Sequence, residues 1–395
     1  MITMETAEKA LKTVYLGVVA EQLNLGVNPL LAKIEQTSSD VWGKDVVKLV
    51  SYGINGGISS GKETDDLPKA SGNHYAQLKV ELKNLFGSIE ISDKAVRASE
   101  NSSGAFVNLL NAEIEGLLKA SKLNFSRMIY GNGTGVLTKI KNVATGALTK
   151  INVDKATGLF PGMIVDIVTP SGYVVGEGLK VVSVDMNAKA ITVESNPVGA
   201  ILASDNYSLI VQKSYKNELT GLGAIFGAED LLYGLSKTQN PWLKPSVNAV
   251  NSTLTAAMFQ KAIDEGQEKH GVSEPDIIIS SYDVRRAMVD YLSFSRLNVD
   301  YMSLDGGYKA LTFNGIPWVA DRFVDAGSAY ILNSADFKLH QLCDWRWLEG
   351  NGGKILRQIE GKPVYRATLV KYAELICDRP FAQSMLTGID TTLFI

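Results

Sequence analysis

From Phe106 to Met128 the chain keeps one apolar stripe: Phe106, Leu109, Leu110, Ile114, Leu117, Phe125 and Met128, with Ser121 in the same rank. This 3.6-residue rhythm predicts a single helix over 104–130. At 1.5 Å per residue it runs roughly 40 Å, long enough to serve as the rigid spine of a domain. Gly131 follows where a left-handed C-cap belongs. The sequence on either side of this rod has a different texture.

Before it, residues 45–98 read as extended chain. Asp45-Val-Val-Lys-Leu-Val-Ser-Tyr has strand composition, and Leu78, Val80 and Leu82 alternate with Gln77, Lys79, Glu81 and Lys83. Period-two alternation marks a strand with one wet face. Between the two lie Gly53-Ile-Asn-Gly-Gly-Ile-Ser-Ser-Gly and Lys62-Glu-Thr-Asp-Asp-Leu-Pro-Lys, so the segment reads as a long hairpin with a glycine-rich, charged tip. An isolated two-stranded hairpin is marginal in water. This one is expected to lie against its own body or against a neighbouring molecule. Ahead of it, Ala7, Leu11, Val14 and Val18 give a helix over 4–23 that Gly26 and Pro29 end.

After the long helix, short β-branched runs recur through 136–216: Met163-Ile-Val-Asp-Ile-Val, Leu179-Lys-Val-Val-Ser-Val, Ala190-Ile-Thr-Val and Tyr207-Ser-Leu-Ile-Val, with turn residues between them. The spacing predicts a small β-barrel or sandwich, inserted between helix-bearing stretches. Residues 218–338 are mixed. They hold a helix from Thr255 to His270 stopped by Gly271, a buried strand Asp276-Ile-Ile-Ile-Ser, and a helix to Leu292 opened by Ser280 and Asp283 as a capping box. Strands follow at Ile316-Pro-Trp-Val-Ala and Tyr330-Ile-Leu-Asn, and 339–395 are mainly strand.

With 395 residues, 45% apolar and 21% charged, the chain has material for a large core and for two or three domains. No run of eighteen apolar residues marks a membrane span. The first residues mix acids with lysines and read as an amphipathic helix rather than a signal peptide. Cys343 and Cys377, both in apolar surroundings, read as reduced buried thiols.

Gly56-Gly-Ile-Ser-Ser-Gly61-Lys62 satisfies G-x-x-x-x-G-K, the pattern of a phosphate-cradling loop. Glu63 stands where a magnesium-holding hydroxyl is needed, and Asp65, Asp66 and Pro68 follow where a helix should start. A hairpin tip is the better reading. Gly131-Asn-Gly-Thr-Gly follows a helix, so the helix dipole points the wrong way for an anion. Of the histidines, His74 falls in a polar loop, His270 at a helix C-terminus and His340 before a strand. No H-x-x-x-H, C-x-x-C or G-x-S-x-G occurs. No catalytic residue, cofactor or metal is assigned, and an enzyme is not expected. Trp345 and Trp347 share one face of a strand and read first as core, second as a subunit contact.

The order of these pieces resembles the Hong Kong 97-type capsid fold of tailed bacteriophages. The resemblance rests on the helix Asn111-Ala-Glu-Ile-Glu-Gly-Leu-Leu-Lys-Ala through Met128-Ile-Tyr-Gly-Asn-Gly-Thr-Gly, on Asn217-Glu-Leu-Thr-Gly-Leu-Gly-Ala-Ile-Phe after the β insertion, and on the ending Tyr372-Ala-Glu-Leu-Ile-Cys-Asp-Arg-Pro-Phe-Ala-Gln. It covers nearly the whole chain. It implies an α+β architecture divided into an N-terminal arm (1–44), an extended loop (45–98), a peripheral domain with the spine helix (99–135), the inserted all-β domain (136–216), an axial domain (217–338) and a return to the peripheral domain (339–395).

It also implies a non-enzymatic major capsid protein. Such a subunit assembles with copies of itself as hexamers and pentamers into an icosahedral shell around double-stranded DNA, is built in the host cytoplasm and ends in the virion. A portal protein and a decoration protein are the partners implied. No long charged helical extension precedes the arm, so scaffolding is expected from a separate protein, or from none. A net charge of −3 without a basic stripe fits a wall that encloses DNA without gripping its sequence. Lys62, Glu63, Asp65, Asp66 and Lys69 are the expected inter-subunit contacts, and Gly53, Gly56, Gly57 and Gly61 the expected hinges. The alternatives are an encapsulin-like nanocompartment shell protein and, further off, a nucleotide-binding enzyme using Gly56 to Lys62.

Overall fold

The computed structural model describes residues 28–63, 66–94, 103–143, 149–195, 201–270, 274–294, 301–303, 309–350 and 353–392. The helix expected over 4–23, the tip residue Asp65 and the helix stop Gly271 lie outside them.

The spine is the helix Ser103–Tyr130. Its buried stripe includes Ile114, Leu118, Phe125, Met128 and Ile129. It lies on the strand Lys83–Ser92, whose Leu85, Ile89 and Ile91 point inward. Gly87 falls in the same inward rank, and a Cβ there would stand 2.9 Å from Leu117 and 3.1 Å from Ser121. Glycine at this crossing lets the helix come down onto the sheet. The far end of the helix differs from expectation. Gly131 is not left-handed; Gly133 and Gly135 are, at φ +79° and +76°. The Gly131 amide donates to the Met128 carbonyl at 3.0 Å, a tightened last turn. The end is closed by tertiary packing instead of a left-handed cap. Gly221 and Gly223, arriving after the β insertion, lie against the carbonyls of Met128, Ile129 and Tyr130.

Beneath the helix runs a sheet built on the long strand Val364–Cys377. It pairs antiparallel with Lys83–Ser92 on one side and with Phe337–Trp347 on the other; Glu35–Thr37 adds a parallel edge to the latter. Trp345 and Trp347 are buried here, and Trp345 meets Phe125 edge-on at 6.0 Å. His340 lies within this strand, not before it, because the strand begins at Phe337.

A seven-stranded sheet follows in the order Ser246–Ala249, Ser384–Thr387, Ala329–Leu332, Ile277–Ser280, Ile316–Ala320, Lys309–Phe313, Tyr301–Ser303. The helices Ala256–His270 and Tyr282–Phe294 cover it over a core that includes Phe259, Met288 and Trp318. The expected capping box does not form. Ser280 is the last residue of its strand, where its hydroxyl accepts from the Trp318 indole at 2.7 Å, and Asp283 accepts from the Gly327 amide at 3.0 Å. Both side chains are taken by tertiary partners that local spacing does not reveal.

The insertion is a closed six-stranded barrel spanning strands from Val136–Val143 to Ser208–Val211, with its own core that includes Ile151, Val153, Val165, Ile167 and Leu209. Its two ends meet: the Lys216 amide donates to the Thr134 carbonyl at 2.8 Å. The buried pair Arg127–Glu218 ties this exit to the end of the spine helix.

The chain thus has the α+β class expected, with spine helix, hairpin and inserted all-β unit. Gly221→Ala should destabilise the protein by about 1–3 kcal/mol, because the added methyl has no room beside three carbonyls. Gly116→Ala on the open face of the same helix, where an added Cβ meets nothing within 4 Å, should stabilise it by about 0.5–1 kcal/mol. Urea denaturation of the two variants checks both signs.

Candidate assembly surface

The hairpin pairs Asp45–Tyr52 with His74–Glu81, in register from Asp45 opposite Glu81 to Tyr52 opposite His74. His74, expected in a loop, is therefore an exposed strand residue. The strand ends at Glu81; Lys83 begins the next one, which joins the main sheet. Alternation gives the ribbon two unlike faces. Val46, Lys48, Val50 and Tyr52 face the body together with their partners Val80, Leu78 and Ala76. Val46 and Leu78 are fully buried, Lys48 pairs with Asp378 at 2.7 Å, and Tyr52 stacks on Trp242 at 5.1 Å. At Tyr52 the ribbon borders an open groove of about 680 Å³ lined in part by Gly53, Trp242, Val247 and Phe381.

The outward face and the tip carry apolar groups into solvent. Trp42 is 73% exposed, Leu49 65% and Tyr75 54%; at the tip Ile54 and Ile58 are each 81% exposed and Leu67 91%. Single exposed apolar residues are ordinary, but five within one projecting hairpin, with Trp42 on the strand Val41–Trp42 beside it, are unusual. The alternation that predicts the inner face also predicts the outer one. Leu49 and Tyr75 sit on the wet side of their strands, a signal the charged tip overshadowed.

The expected contact residues Lys62, Glu63, Asp66 and Lys69 all fall in the stretch 53–73 between the strands, and all are exposed. Of the expected hinges, Gly53 takes φ +75° at the exit from the strand. Gly57 is held in an Asx turn, its amide donating to Asn55 Oδ1 at 2.9 Å. Gly56 and Gly61 lie along the same stretch. Among the described residues from 53 to 73 no helix follows Lys62, so the G-x-x-x-x-G-K segment has no helix N-terminus to present to a phosphate.

Among the described residues, two charged side chains in the body are fully buried. Lys371 is fully buried, pairs with Asp344 at 2.7 Å and lies over the rings of Phe125 and Trp345; burial pulls its pKa down. Glu374, also fully buried, accepts from the Thr220 amide at 2.7 Å and the Leu375 amide at 3.0 Å, while its second oxygen has no partner. Burial pushes it up to about 7. Cys343 and Cys377 are free thiols. Among the described residues no group of three or more His, Cys, Asp or Glu side chains is placed to hold a metal ion, and no helix is long and apolar enough to cross a membrane.

No known family model matches the chain, and no curated protein matches it in sequence. Among solved structures, it is similar to the cyanophage A-1(L) capsid asymmetric unit, with TM-score 0.51 and 14% identity over 96% of this chain and 93% of that one. The chain has the Hong Kong 97-type capsid fold. Lower likenesses, each with TM-score 0.47, are to the capsid of Myoviridae phage XM1 (11% identity, 92% of each chain) and to the holo-SrpI encapsulin complex from Synechococcus elongatus PCC 7942 (9% identity, 93% and 90%). Within this fold the exposed Leu49, Ile54, Ile58, Leu67 and Tyr75 belong to the hairpin, the element whose tip the chain's own body leaves uncovered.

Glu374 yields a prediction with a definite sign. Between the ordinary glutamate range and about pH 7 the folded chain keeps a proton that the unfolded chain releases. Its contribution to stability therefore declines as pH rises through that window. Glu374→Gln should remove this decline and stabilise the protein at pH 8 by up to about 3 kcal/mol. Urea midpoints at pH 5, 6, 7 and 8 test it; an unchanged pH slope in the variant would contradict it.

Proposed function

We propose that this chain is the major capsid protein of a tailed bacteriophage, a non-enzymatic subunit that assembles with itself as hexamers and pentamers into an icosahedral shell around double-stranded DNA. The observation that carries the reading is the hairpin: seated on its own body along one face, with Leu49 and Tyr75 exposed among polar residues on the other face and Ile54, Ile58 and Leu67 exposed at its tip. Fully burying one such Leu or Ile side chain is worth roughly 1.5–3 kcal/mol. Several per contact give an association that stays modest after its entropic cost. A closed shell needs only modest contacts, since a subunit held by several neighbours leaves when all release together.

In this reading the arm is 1–44, the extended loop 45–98, the peripheral domain 99–135 with its return at 339–395, and the axial domain 217–338. The barrel at 136–216 braces neighbours or stands on the outer surface. Lys62, Glu63, Asp65, Asp66 and Lys69 set the register of the tip on its neighbour, since exposed ion pairs each contribute below about 1 kcal/mol. Gly53, Gly56, Gly57 and Gly61 let the same loop serve hexamer and pentamer angles. Scaffolding, portal and decoration proteins are the partners such a shell would use.

Two experiments test the proposal. Deleting 56–70 should leave a folded, soluble monomer that forms no closed particles in sedimentation and electron microscopy; normal particles would contradict the role given to the tip. Leu49→Lys with Tyr75→Lys should shift monomer stability by under about 0.5 kcal/mol, as surface changes do, yet abolish or sharply reduce particle yield. Particles filled with cargo protein in place of DNA would move the chain to the nanocompartment reading.

A further inference from the structure

The seven-stranded sheet ends on the strand Ser246–Ala249, which pairs parallel with Ser384–Thr387; among the described residues no strand pairs on its other side. The Ser246 amide donates to the Gln383 carbonyl and the Val250 amide to the Thr387 carbonyl, each at 2.9 Å. Backbone groups alternate along a strand, so those of Val247 and Ala249 turn outward, and both residues are exposed. An open strand edge is a template for a further extended chain. The same strand lines the groove at the hairpin root. Tyr52 and Trp242, stacked ring on ring, line it with Phe381 and with Val247, which is 46% exposed. The exposed Lys244 is also among the lining residues.

The hairpin tip has the matching chemistry. Ile58-Ser-Ser-Gly61 lies in neither helix nor strand, and the exposed acids Glu63 and Asp66 follow it. In its own chain Ile58 stays 81% exposed, so the groove is not filled from within. The groove lies where the tip leaves the ribbon, at Tyr52 and Gly53. Ten residues of extended chain, 53 to 62, span at most roughly 33 Å. A copy shifted by about that reach brings its groove beneath this tip, and such head-to-tail contacts close rings when the rotation allows.

We propose that the groove receives the hairpin tip of a second copy: Ile58-Ser-Ser-Gly61 adds as a strand along Val247 and Ala249, Ile58 seats beside Trp242 and Phe381, and Glu63 and Asp66 face Lys244. Main-chain bonds give the hold, the isoleucine the apolar anchor and the charges the register. The contact rests on the shell reading and names the surface that the tip meets in it.

Val247→Pro removes one outward amide and leaves the bonds of Ser246 and Val250 to their own sheet, a change that edge strands tolerate. The urea midpoint of the monomer should hold, while particle yield should fall about tenfold or more, because a small loss repeats at every contact. Lys244→Glu should lower the yield in the same way, and adding Glu63→Lys with Asp66→Lys should restore it. This charge exchange decides the matter if the proline variant fails to fold. Particles co-assembled from Ile58→Cys chains and Val247→Cys chains should yield, on oxidation, a disulfide-linked dimer holding one chain of each kind. Co-assembled particles without that dimer overturn the contact and leave the shell reading standing, as do undiminished particles from both Val247→Pro and Lys244→Glu. A wild-type chain that forms no particles removes both.

Discussion

The structure turns on the crossing of one long helix over one strand. Where Ser103–Tyr130 passes Lys83–Ser92, Gly87 removes the side chain that would hold them apart, and Leu117 and Ser121 settle into the space. Everything else is placed from that contact. The strand leads back to the hairpin. The far end of the helix is sealed by Gly221 and Gly223, and this sets where the barrel begins and ends and where the chain enters the second sheet. Residue types at such points are chosen by what they lack.

Sequence periodicity made much of this legible, and for a physical reason. A helix 28 residues long against a sheet must repeat every 3.6 residues, and a ribbon with one wet face must alternate. The spine helix, the two hairpin strands, the barrel and the buried Trp345 and Trp347 all follow from those rules. The misreadings share one cause. Gly131 looked like a left-handed cap, and Ser280 with Asp283 like a capping box, because such motifs are judged from neighbours in sequence. In the folded chain Gly221 packs against the helix end, 90 positions from Gly131, and the side chains of Ser280 and Asp283 bond to Trp318 and Gly327, 38 and 44 positions away. His340 and Lys371 were hidden the same way. Each is a polar residue in a strand whose burial depends on distant elements: Ser39 for one, Asp344 under the helix for the other.

The candidate surface was read from its charges, and the structure adds its apolar side. Lys62, Glu63, Asp66 and Lys69 lie on an exposed stretch that also holds Ile54, Ile58 and Leu67. The two kinds of group do different work at a boundary between molecules. Apolar area supplies attraction, and charge selects register and partner. In the proposed shell, a segment with both is the one that would meet a neighbour.

The most direct test of this account is hydroxyl-radical footprinting of the assembled protein against its dissociated subunits. Trp42, Leu49, Ile54, Ile58, Leu67 and Tyr75 should be oxidised readily in the subunit and protected in the particle, while Tyr173 of the barrel, 76% exposed, serves as a comparison surface. Equal oxidation of these six residues in both states would mean that no neighbour covers the hairpin and its flanking strand, and the account would fail at its centre.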